Sequence, residues 1–375
     1  MSDQQDVIIV GAGQAGLAMG ALLQSAGVNY LIIGQESCIG DIWRNRYESL
    51  TLFTPRWLNR LPLDSSPMTA ASDEYPDRNE IADYLLRYAE ARQLNIRLAT
   101  TVIKLAKSGS GFTVQTDTGE KLSARAVVIA TGPFQKASIP QFAKDLAPRV
   151  VQIHTAHYRN ARQLQPGRTL VVGAGNSGAQ IAAGLTQQHE VHLAAGGPLN
   201  FMPSRLLGKS IFWWFSRLGV YRAHVGTALG RRLSRRPDPI IGRELRECLQ
   251  QGRVTLHPRA AGADDNQVVF EDGTSLPVGN VIWATGFRPD YSWVELDGVV
   301  STDGRPVHRR GVAEHTGVYF LGLPWQHSRK SALIGGVGDD AAHLLQVILV
   351  QLAEGGCEPS ARPLKTVPDG GCQTS

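Results

Sequence analysis

The chain has 375 residues, of which 42% are hydrophobic, and a formal net charge of +5 at pH 7. This length predicts two or three domains with well-buried cores. No stretch approaches the roughly 18 consecutive apolar residues of a membrane span, no signal peptide is recognisable, and the four cysteines lack disulfide or metal-site spacing. We therefore expect a cytoplasmic protein with no membrane span, whose mild positive charge suits anionic cofactors rather than nucleic acid.

The first predicted unit is a strand, a glycine-rich loop and a helix. The strand Asp6 to Val10 leads into GAGQAG and then an Ala- and Leu-rich helix, which is the context of a dinucleotide fingerprint. The first glycine permits a tight turn, the second lets the backbone approach a pyrophosphate, and the third allows the helix to pack on the strand. The free N–H groups of the helix N-terminus then attract the anion. The predicted contacts are Gly11, Gly13, Gln14, Ala15 and Gly16.

The second strand, Tyr30 to Ile33, completes a β-α-β unit. An acid that binds the adenosine ribose commonly lies about 20 residues past the glycines. Gly34 stands at the end of this strand, and Glu36 is the nearest acid. Glu36 is therefore either a ribose ligand or a surface residue, and the sequence favours neither.

A long connection, residues 35 to 79, follows, and connections of this length are usually functional. Its segment Gly40 to Leu50 crowds aromatic and guanidinium groups together. Such a cluster either walls a flat ring and its phosphates or anchors a core loop. The candidates for ligand contact are Trp43, Arg44 and Tyr47.

Helix and strand patterns complete the first unit. Residues 77 to 94 have the periodicity of an amphipathic helix, with Asp77 and Glu80 as its capping box. Alternating residues 97 to 122 predict a small antiparallel meander. Residues 126 to 130 predict a buried strand that ends in Thr131 and Gly132.

A second unit repeats this plan from residue 167. The strand Thr169 to Val172 leads into GAGNSG, whose predicted contacts are Gly173, Gly175, Asn176, Ser177 and Gly178. The next strand, residues 190 to 193, is followed by neither an acid nor an arginine, although Arg205 or another arginine could reach it, so the sequence does not choose NADH over NADPH. Residues 254 to 256 and 268 to 271 predict a second meander. The unit ends in Thr285 and Gly286, so both units close on Ala-Thr-Gly.

An insertion of residues 198 to 247 interrupts the second unit. It contains the aromatic run Phe212 to Phe215, which suits a lid over a substrate, a domain-packing surface or a membrane-surface helix. The few Lys and Arg residues in this stretch favour a lid or packing. The basic run Arg231 to Arg236 is interpreted as a solvated helix face rather than a contact for nucleic acid or lipid.

The C-terminal part predicts a strand at residues 318 to 321 and a helix entered through glycines 335, 336 and 338. This helix either points its positive end at a ligand or only packs closely. Residues 356 to 375 are rich in Gly, Pro and polar residues, which predicts a disordered tail.

In this order the motifs resemble those of the flavin-containing monooxygenase-like (class B) flavoproteins, in the bacterial branch called CzcO-like. The resemblance extends from Asp6 to about Leu352. GAGQAG resembles the family's FAD fingerprint, and GAGNSG resembles its NADP fingerprint. GDIWRNRYESLTLFTP resembles the FAD-embracing segment, ATGFRPD the interdomain linker motif, and GLPWQHSRKSALIGGVGDDAA the C-terminal flavin segment.

The resemblance implies an α/β fold with two Rossmann-type dinucleotide-binding domains, each with a small antiparallel β-meander. It places an FAD-binding domain at residues 1–165 and 287–355, and an NAD(P)-binding domain at residues 166–286. The cofactors it implies are FAD and NADPH or NADH. The additional cofactor contacts it implies are Val102, Ala130, Thr131, Gly132, Thr285, Gly286, Gly322, Gln326 and Leu333.

The activity implied is that of a monooxygenase, which acts through a flavin hydroperoxide on a small soft nucleophile (N or S) or a ketone. Its partners are then a small-molecule substrate and O2. The sequence does not decide whether the protein forms a homodimer. The alternatives are an NAD(P)H oxidase or flavin-linked reductase without oxygen insertion, and a regulatory flavoprotein linked to ion or metal handling. No metal-ligand cluster and no catalytic acid or base is nominated, because the flavin carries the chemistry.

Two departures from the family pattern bear on that activity. The motif FxGxxxHxxxY survives only as His154 and Tyr158, with Pro148 and Val150 at its first two positions. The family's amine and sulfide oxygenases carry Asn where Pro55 stands here. Oxygenation is therefore implied by the resemblance rather than by these residues.

Overall fold

The computed structural model describes residues 4–64 and 72–354, except for the side chain of Arg222. The predicted tail at residues 356 to 375 lies outside the described residues. The helices are α1 (Gln14–Ser25), α2 (Asp41–Arg44), α3 (Arg78–Ala91), α4 (Asn176–Leu185), α5 (Ile211–Arg217), α6 (Ala228–Ser234), α7 (Glu244–Gln250) and α8 (Val337–Glu354). Short 3₁₀ helices are formed by Arg56–Leu58, Gln141–Asp145, Ala161–Gln163 and Val220–Arg222.

The described residues also form 22 strands, eight of them only two residues long. They are β1 (Gln5–Val10), β2 (Tyr30–Ile33), β3 (Ile96–Arg97), β4 (Val102–Ser108), β5 (Gly111–Thr116), β6 (Lys121–Ile129), β7 (Lys136–Ala137), β8 (Val151–His154), β9 (Thr169–Val172), β10 (Val191–Ala194), β11 (Phe201–Met202), β12 (Arg205–Leu206), β13 (Lys209–Ser210), β14 (Ile240–Ile241), β15 (Val254–His257), β16 (Ala260–Asp264), β17 (Gln267–Phe270), β18 (Ser275–Pro277), β19 (Asn280–Trp283), β20 (Phe287–Arg288), β21 (Val294–Glu295) and β22 (Val318–Phe320).

The first sheet combines a parallel ladder with an antiparallel meander. Its parallel part has the order β3-β2-β1-β6-β22. The long strand β6 pairs with β1 over residues 124 to 129, while its other edge pairs first with β5 and then with β22. The meander β4-β5-β6 is antiparallel, as the alternation of residues 97 to 122 predicted.

The second sheet is entirely parallel, in the order β15-β10-β9-β19-β8. Every residue of β9, β10 and β19 is buried, which explains why these strands are mostly apolar and show no alternation of apolar and polar residues. The predicted class of two Rossmann-type α/β units is confirmed.

One expectation for this unit was wrong in detail. Strand β15, expected in a meander with residues 268 to 271, is instead the parallel edge strand beside β10. The meander is β16-β17-β18. Strand β8 pairs with β19 in the second sheet. The domain boundary at residue 165 stays a prediction.

The chain passes between the two sheets twice, and the two connecting segments form strands that pair with each other. Strand β7 leaves the first sheet, β20 returns to it, and the two form an antiparallel ribbon. The residues after β20 rejoin the first unit: β21 adds to β4, β22 adds to β6, and α8 packs against α1 in the core. No helix in the described ranges is long and apolar enough to cross a membrane.

Helix α3 begins where the capping box predicted. The carboxylate of Asp77 accepts hydrogen bonds from the backbone N–H groups of Asn79 (2.7 Å) and Glu80 (2.9 Å), and Glu80 accepts one from the Asp77 N–H (3.0 Å). Its buried face, which includes Ile81 and Leu85, packs beside α1 in the core. The sequence therefore determines both the start and the orientation of this helix.

We expect Asp77→Ala to lower the free energy of unfolding by about 1 kcal/mol, because two backbone N–H groups lose their acceptor. Urea denaturation followed by circular dichroism measures the change. The matched control is Glu90→Ala, an exposed carboxylate in the last turn of the same helix. Equal effects of the two substitutions would contradict the capping role.

Candidate dinucleotide sites

The first glycine-rich loop turns tightly against the end of β6. Gly11 has a φ of +115°, and a Cβ atom placed on it would lie 2.5 Å from the carbonyl oxygen of Ala130. A Cβ on Gly16 would lie 1.8 Å from the carbonyl oxygen of Gly11. The first and third positions therefore admit glycine only, for the steric reasons that the fingerprint predicts.

The second loop repeats these contacts at the end of β19. Gly173 has a φ of +107°, and its Cβ would lie 2.3 Å from the carbonyl oxygen of Ala284. A Cβ on Gly178 would lie 1.9 Å from the carbonyl oxygen of Gly173. The two loops are thus built in the same way in the two sheets.

The middle glycine of each loop is different. At Gly13 and at Gly175, a Cβ would meet no described atom within 4 Å beyond the neighbouring residues, and both have ordinary negative φ angles. Nothing inside the protein requires glycine here. Open space above the loop is what a pyrophosphate group needs in order to reach the backbone.

The helix that follows each loop leaves its first N–H groups available. Neither Gly13 nor Gly175 supplies a side-chain cap, and neither α1 nor α4 has an acidic residue in its first turn. An anion therefore meets no competing carboxylate at these positions. Gln14 and Ala15 lie in the first turn of α1, as predicted.

Glu36 lies beside the first loop. A Cβ on Gly34, at the end of β2, would lie 2.8 Å from Oε2 of Glu36 and 2.6 Å from Cβ of Ala12. This oxygen is buried and has no hydrogen-bond partner among the described residues. A buried carboxylate oxygen without a donor is costly unless a ligand supplies one, so its position suits a ribose hydroxyl. The indole Nε1 of Trp43 is also buried without a partner.

Two other candidates in this segment are bound to protein groups. Arg44 donates to the Ile39 carbonyl (2.9 Å) and pairs with Asp83 (2.7 Å), a contact that raises its pKa. Tyr47 donates its hydroxyl to Oε1 of Gln180 (3.0 Å) on α4, and burial raises the pKa of Tyr47 to about 12. The segment therefore joins the two domains, and direct ligand contact by these two residues stays a prediction.

The two Thr-Gly pairs, Thr131-Gly132 and Thr285-Gly286, lie beside the ribbon of β7 and β20. The Gly286 carbonyl accepts hydrogen bonds from the Ser138 N–H (3.0 Å) and from Nε2 of His154 (2.9 Å). Nδ1 of His154 accepts from the Ala156 N–H (3.1 Å), which fixes the proton on Nε2. Burial lowers the pKa of His154, so the ring is neutral and holds the junction. At the other end, the amide of Gln135 donates to the Thr131 hydroxyl (2.7 Å) and to the Gly132 carbonyl (3.0 Å).

The C-terminal segment lies against the first loop. Gly322 has a φ of +85°, and its Cβ would lie 2.8 Å from Cβ of Ala15. Gln326 is buried, and its Nε2 has no partner among the described residues. The Leu333 carbonyl accepts from the N–H groups of Gly336 and Val337, which forms the turn into α8.

The glycines at this turn have a packing role. A Cβ on Gly335 would lie 1.5 Å from the Leu58 carbonyl oxygen, and one on Gly336 would lie 2.0 Å from that of Lys330. Close backbone approach therefore accounts for both residues.

Of the remaining predicted residues, some lie in the core and others are hydrogen-bonded within the protein. Val102 begins β4 with its side chain in the core, and Asn176 is bound through its amide to Pro239 and Ile241. Ser177 lies within hydrogen-bonding reach of Tyr47, and the Thr285 hydroxyl donates to the Ser138 carbonyl. Tyr158 is buried in the core of the second unit.

Sequence reasoning did not nominate Arg259. Its guanidinium Nη2 donates to the Gly196 carbonyl (2.9 Å), just past the end of β10, and its Nε pairs with Glu271 (2.9 Å). The end of the second strand is where a Rossmann domain binds the adenosine ribose. Arg259 reaches it from the residues after β15, so a search along β10 alone finds no basic group.

Arg46 was not predicted as a site residue either, although its segment was identified as a candidate binding segment. Its guanidinium lies over the rings of Phe134 (5.1 Å) and Phe287 (5.5 Å), and burial lowers its pKa. Because Phe134 follows the first Thr-Gly end and Phe287 follows the second, Arg46 places a cation at the junction of the two sites.

A cavity of about 440 Å³ lies between the domains, lined by Thr51 and Phe53 from the first and by Gln180, Gly184 and Leu245 from the second. None of its lining residues comes from a glycine-rich loop. The cavity therefore lies outside both glycine-rich loops, but two of its lining residues, Thr51 and Phe53, belong to the segment that resembles the FAD-embracing motif.

Comparisons with known proteins agree with this geometry. The model of the pyridine nucleotide-disulphide oxidoreductase family matches residues 8–204. A CzcO-like oxidoreductase of Geobacillus kaustophilus, itself uncharacterized, is 49% identical over 92% of this chain and 98% of its own length. Indole-3-pyruvate monooxygenase YUCCA4 of Oryza sativa subsp. japonica is 27% identical over 96% of this chain and 90% of its own length. The flavin-containing monooxygenase of Stenotrophomonas maltophilia superposes with a TM-score of 0.79 at 27% identity, over 93% and 99% of the two chains.

Alanine substitutions at the middle and third glycines separate binding from folding. We expect Gly13→Ala to weaken flavin binding at least tenfold with little change in melting temperature, because the added methyl enters only the open space above the loop. Gly175→Ala should leave flavin binding intact and abolish tight nicotinamide binding. Flavin fluorescence and calorimetric titration measure the two affinities.

The control is Gly16→Ala, whose methyl overlaps the Gly11 carbonyl and should prevent folding. If Gly13→Ala unfolded the chain just as Gly16→Ala does, the open space above the loop would not be a binding site.

Proposed function

Because this chain belongs to the pyridine nucleotide-disulphide oxidoreductase family, and within it to the CzcO-like oxidoreductases, we propose that it is an FAD-dependent monooxygenase that oxidises NADPH. It inserts one oxygen atom of O2 into a small soft nucleophile (N or S) or a ketone and releases the other as water. The observation that carries the proposal is the pair of loops in which only the middle glycine faces open space. Two such loops in two joined sheets bind two dinucleotides, an electron donor and an electron acceptor.

The residues of the first domain suit FAD rather than a mononucleotide flavin. Glu36 has a buried oxygen in need of a donor at the place of an adenosine ribose, and a mononucleotide has no such ribose. The uncapped N-terminus of α1 offers its N–H groups to the pyrophosphate. Bound FAD supplies hydride acceptance and reaction with O2, and the protein supplies orientation and a dry site.

Oxygen insertion is supported by the relatives rather than by one side chain. The flavin-containing monooxygenase of Stenotrophomonas maltophilia and the rice monooxygenase are both named as oxygenases. Asn59 lies close to Pro55 and is buried, but its amide donates to the Thr54 and Pro55 carbonyls (both 3.1 Å). Its Oδ1 accepts from the Thr54 hydroxyl (2.8 Å), so Asn59 locks this turn and does not replace the family's asparagine.

Arg259 supports NADPH as the donor. Its guanidinium lies at the end of β10, which carries no acid to bind a free ribose 2′-hydroxyl. A 2′-phosphate gains a charge-assisted hydrogen bond from an arginine at this place, whereas NADH gains nothing there. The nearby Glu271 holds the guanidinium against the strand end through Nε and leaves Nη1 for a ligand.

The ratio of NADPH consumed to hydrogen peroxide released tests the proposed reaction. A monooxygenase converts NADPH, H⁺, O2 and substrate to NADP⁺, water and oxygenated product. We expect at least one member of a panel of sulfides, amines, ketones and 2-oxo acids to take up ¹⁸O from ¹⁸O2 with little peroxide. Peroxide equal to the NADPH consumed, without ¹⁸O in any panel member, would instead identify an NAD(P)H oxidase.

Removing the guanidinium tests the choice of nicotinamide. We expect Arg259→Ala to raise the KM for NADPH roughly 10- to 100-fold and to leave the KM for NADH unchanged, because one charge-assisted hydrogen bond is worth about 1.5–3 kcal/mol. Steady-state kinetics with each cofactor measures the split. The control is Arg168→Ala, which removes an arginine paired with Glu190 at the opposite end of the same sheet. An equal loss with NADPH and NADH would show that Arg259 only supports the fold.

A further inference from the structure

The insertion carries a strong local excess of positive charge. Residues 198 to 237 contain eight of the chain's 38 Lys and Arg residues and none of its 33 Asp and Glu residues. The rest of the chain, with thirty basic and 33 acidic residues, is slightly acidic. The net positive charge of the protein therefore resides in this insertion.

One side of the insertion packs on the first domain. The ring of Phe212 stacks on Phe53 at 6.0 Å, and Phe215 and Tyr221 contact Phe212. Trp57 and Leu58 belong to the same apolar cluster. These contacts confirm packing for half of the aromatic run and hold the insertion in place.

The other side presents large apolar side chains to solvent. Leu207, at the tip of the β12-β13 hairpin, is 82% exposed, and Leu218, just past α5, is 72% exposed. Trp214 joins these elements, since its indole N–H donates to the Leu206 carbonyl (3.0 Å) and its own carbonyl accepts from the Leu218 N–H (2.8 Å). Trp213 contacts Trp214 edge to face at 4.9 Å. We call these five residues the leucine surface.

Basic side chains adjoin the leucine surface. Lys209 lies in its hairpin, and the Arg217 guanidinium covers the Trp213 ring at 5.8 Å. Elsewhere in the same insertion, α6 and the two residues after it carry exposed arginines and a further exposed leucine, Leu229. The arginines are Arg231, Arg232, Arg235 and Arg236. The nearest acid along the chain, Asp238, pairs with Arg329 instead (3.3 Å).

We propose that the insertion docks on an anionic lipid bilayer through the leucine surface and its exposed basic residues. Protruding leucines enter the acyl boundary, tryptophans favour the headgroup level, and arginines attract anionic headgroups. Nucleic acid would use the arginines but would leave the leucines exposed to water. The sequence analysis judged only the stretch around the aromatic run and found it poor in basic residues; residues 198 to 237 together carry eight and no acid.

Vesicle sedimentation of the full chain tests the proposal. We expect the protein to sediment with vesicles that contain about one third phosphatidylglycerol and to stay in solution with pure phosphatidylcholine. Arg235→Gln with Arg236→Gln should weaken binding roughly 25-fold, at about fivefold for each arginine. The matched control is Lys121→Gln with Lys144→Gln, two exposed lysines outside the insertion, which should bind as the parent protein does.

The apolar part is tested separately. Leu207→Asn with Leu218→Ser should weaken binding to anionic vesicles roughly tenfold. Asparagine is chosen because Leu207 has a φ of +50°, which asparagine tolerates. The control, Ile103→Ser with Val350→Ser, removes two exposed apolar side chains elsewhere and should leave binding unchanged.

An unchanged melting temperature shows that each variant is folded. The proposal is overturned if the parent protein ignores anionic vesicles, if it binds phosphatidylcholine equally well, or if the insertion variants bind like their controls. Loss of binding in the arginine variant alone, with the leucine variant unaffected, would also overturn docking and would indicate a purely ionic surface. None of these results depends on the redox activity.

Discussion

Close contact between a glycine and a strand-end carbonyl determines how both domains are built. Gly11 lies against Ala130 and Gly173 against Ala284, so each loop turns within the width of a backbone. Gly16 and Gly178 then bring the following helix onto the turn. Any larger side chain at these positions would move the helix away and with it the N–H groups that face the ligand. The rest of each domain covers the two faces of the sheet that this contact organises.

The relation between the two sites depends on a second set of contacts. Gln180 on α4 accepts from the Tyr47 hydroxyl and donates to the Thr51 carbonyl (2.9 Å), so one amide fixes the second helix to the segment beside the first loop. Since the pKa of Tyr47 is raised to about 12, its hydroxyl remains a donor at any physiological pH. His154, a neutral ring, fixes the Gly286 carbonyl where the chain leaves the second sheet. Movement of the second domain against the first must break the hydrogen bonds of Gln180.

Patterns of residues close together in the sequence were sufficient to predict part of this fold. The glycine loops, strand β2 and the Asp77 cap depend on residues within a few positions of one another, and each was predicted from the sequence. Strand β15 was assigned to the wrong partner because its pairing, Val191 with Val254, crosses the whole insertion. Arg259 was missed for the same reason: it reaches the end of β10 through the fold and not along the chain. Patterns of hydrophobicity identify strands, but they do not identify neighbours in a sheet.

The ribbon of β7 and β20 places the two connections between the domains side by side. Ala137 pairs with Phe287 and Lys136 with Arg288, so the points where the chain leaves and re-enters the first domain are one strand spacing apart, about 4.8 Å. A short turn could join them without changing the register of β6 or β22. The second domain is therefore a cassette within the first, exchangeable at two adjacent joins, and the first domain's sheet needs none of its strands for closure.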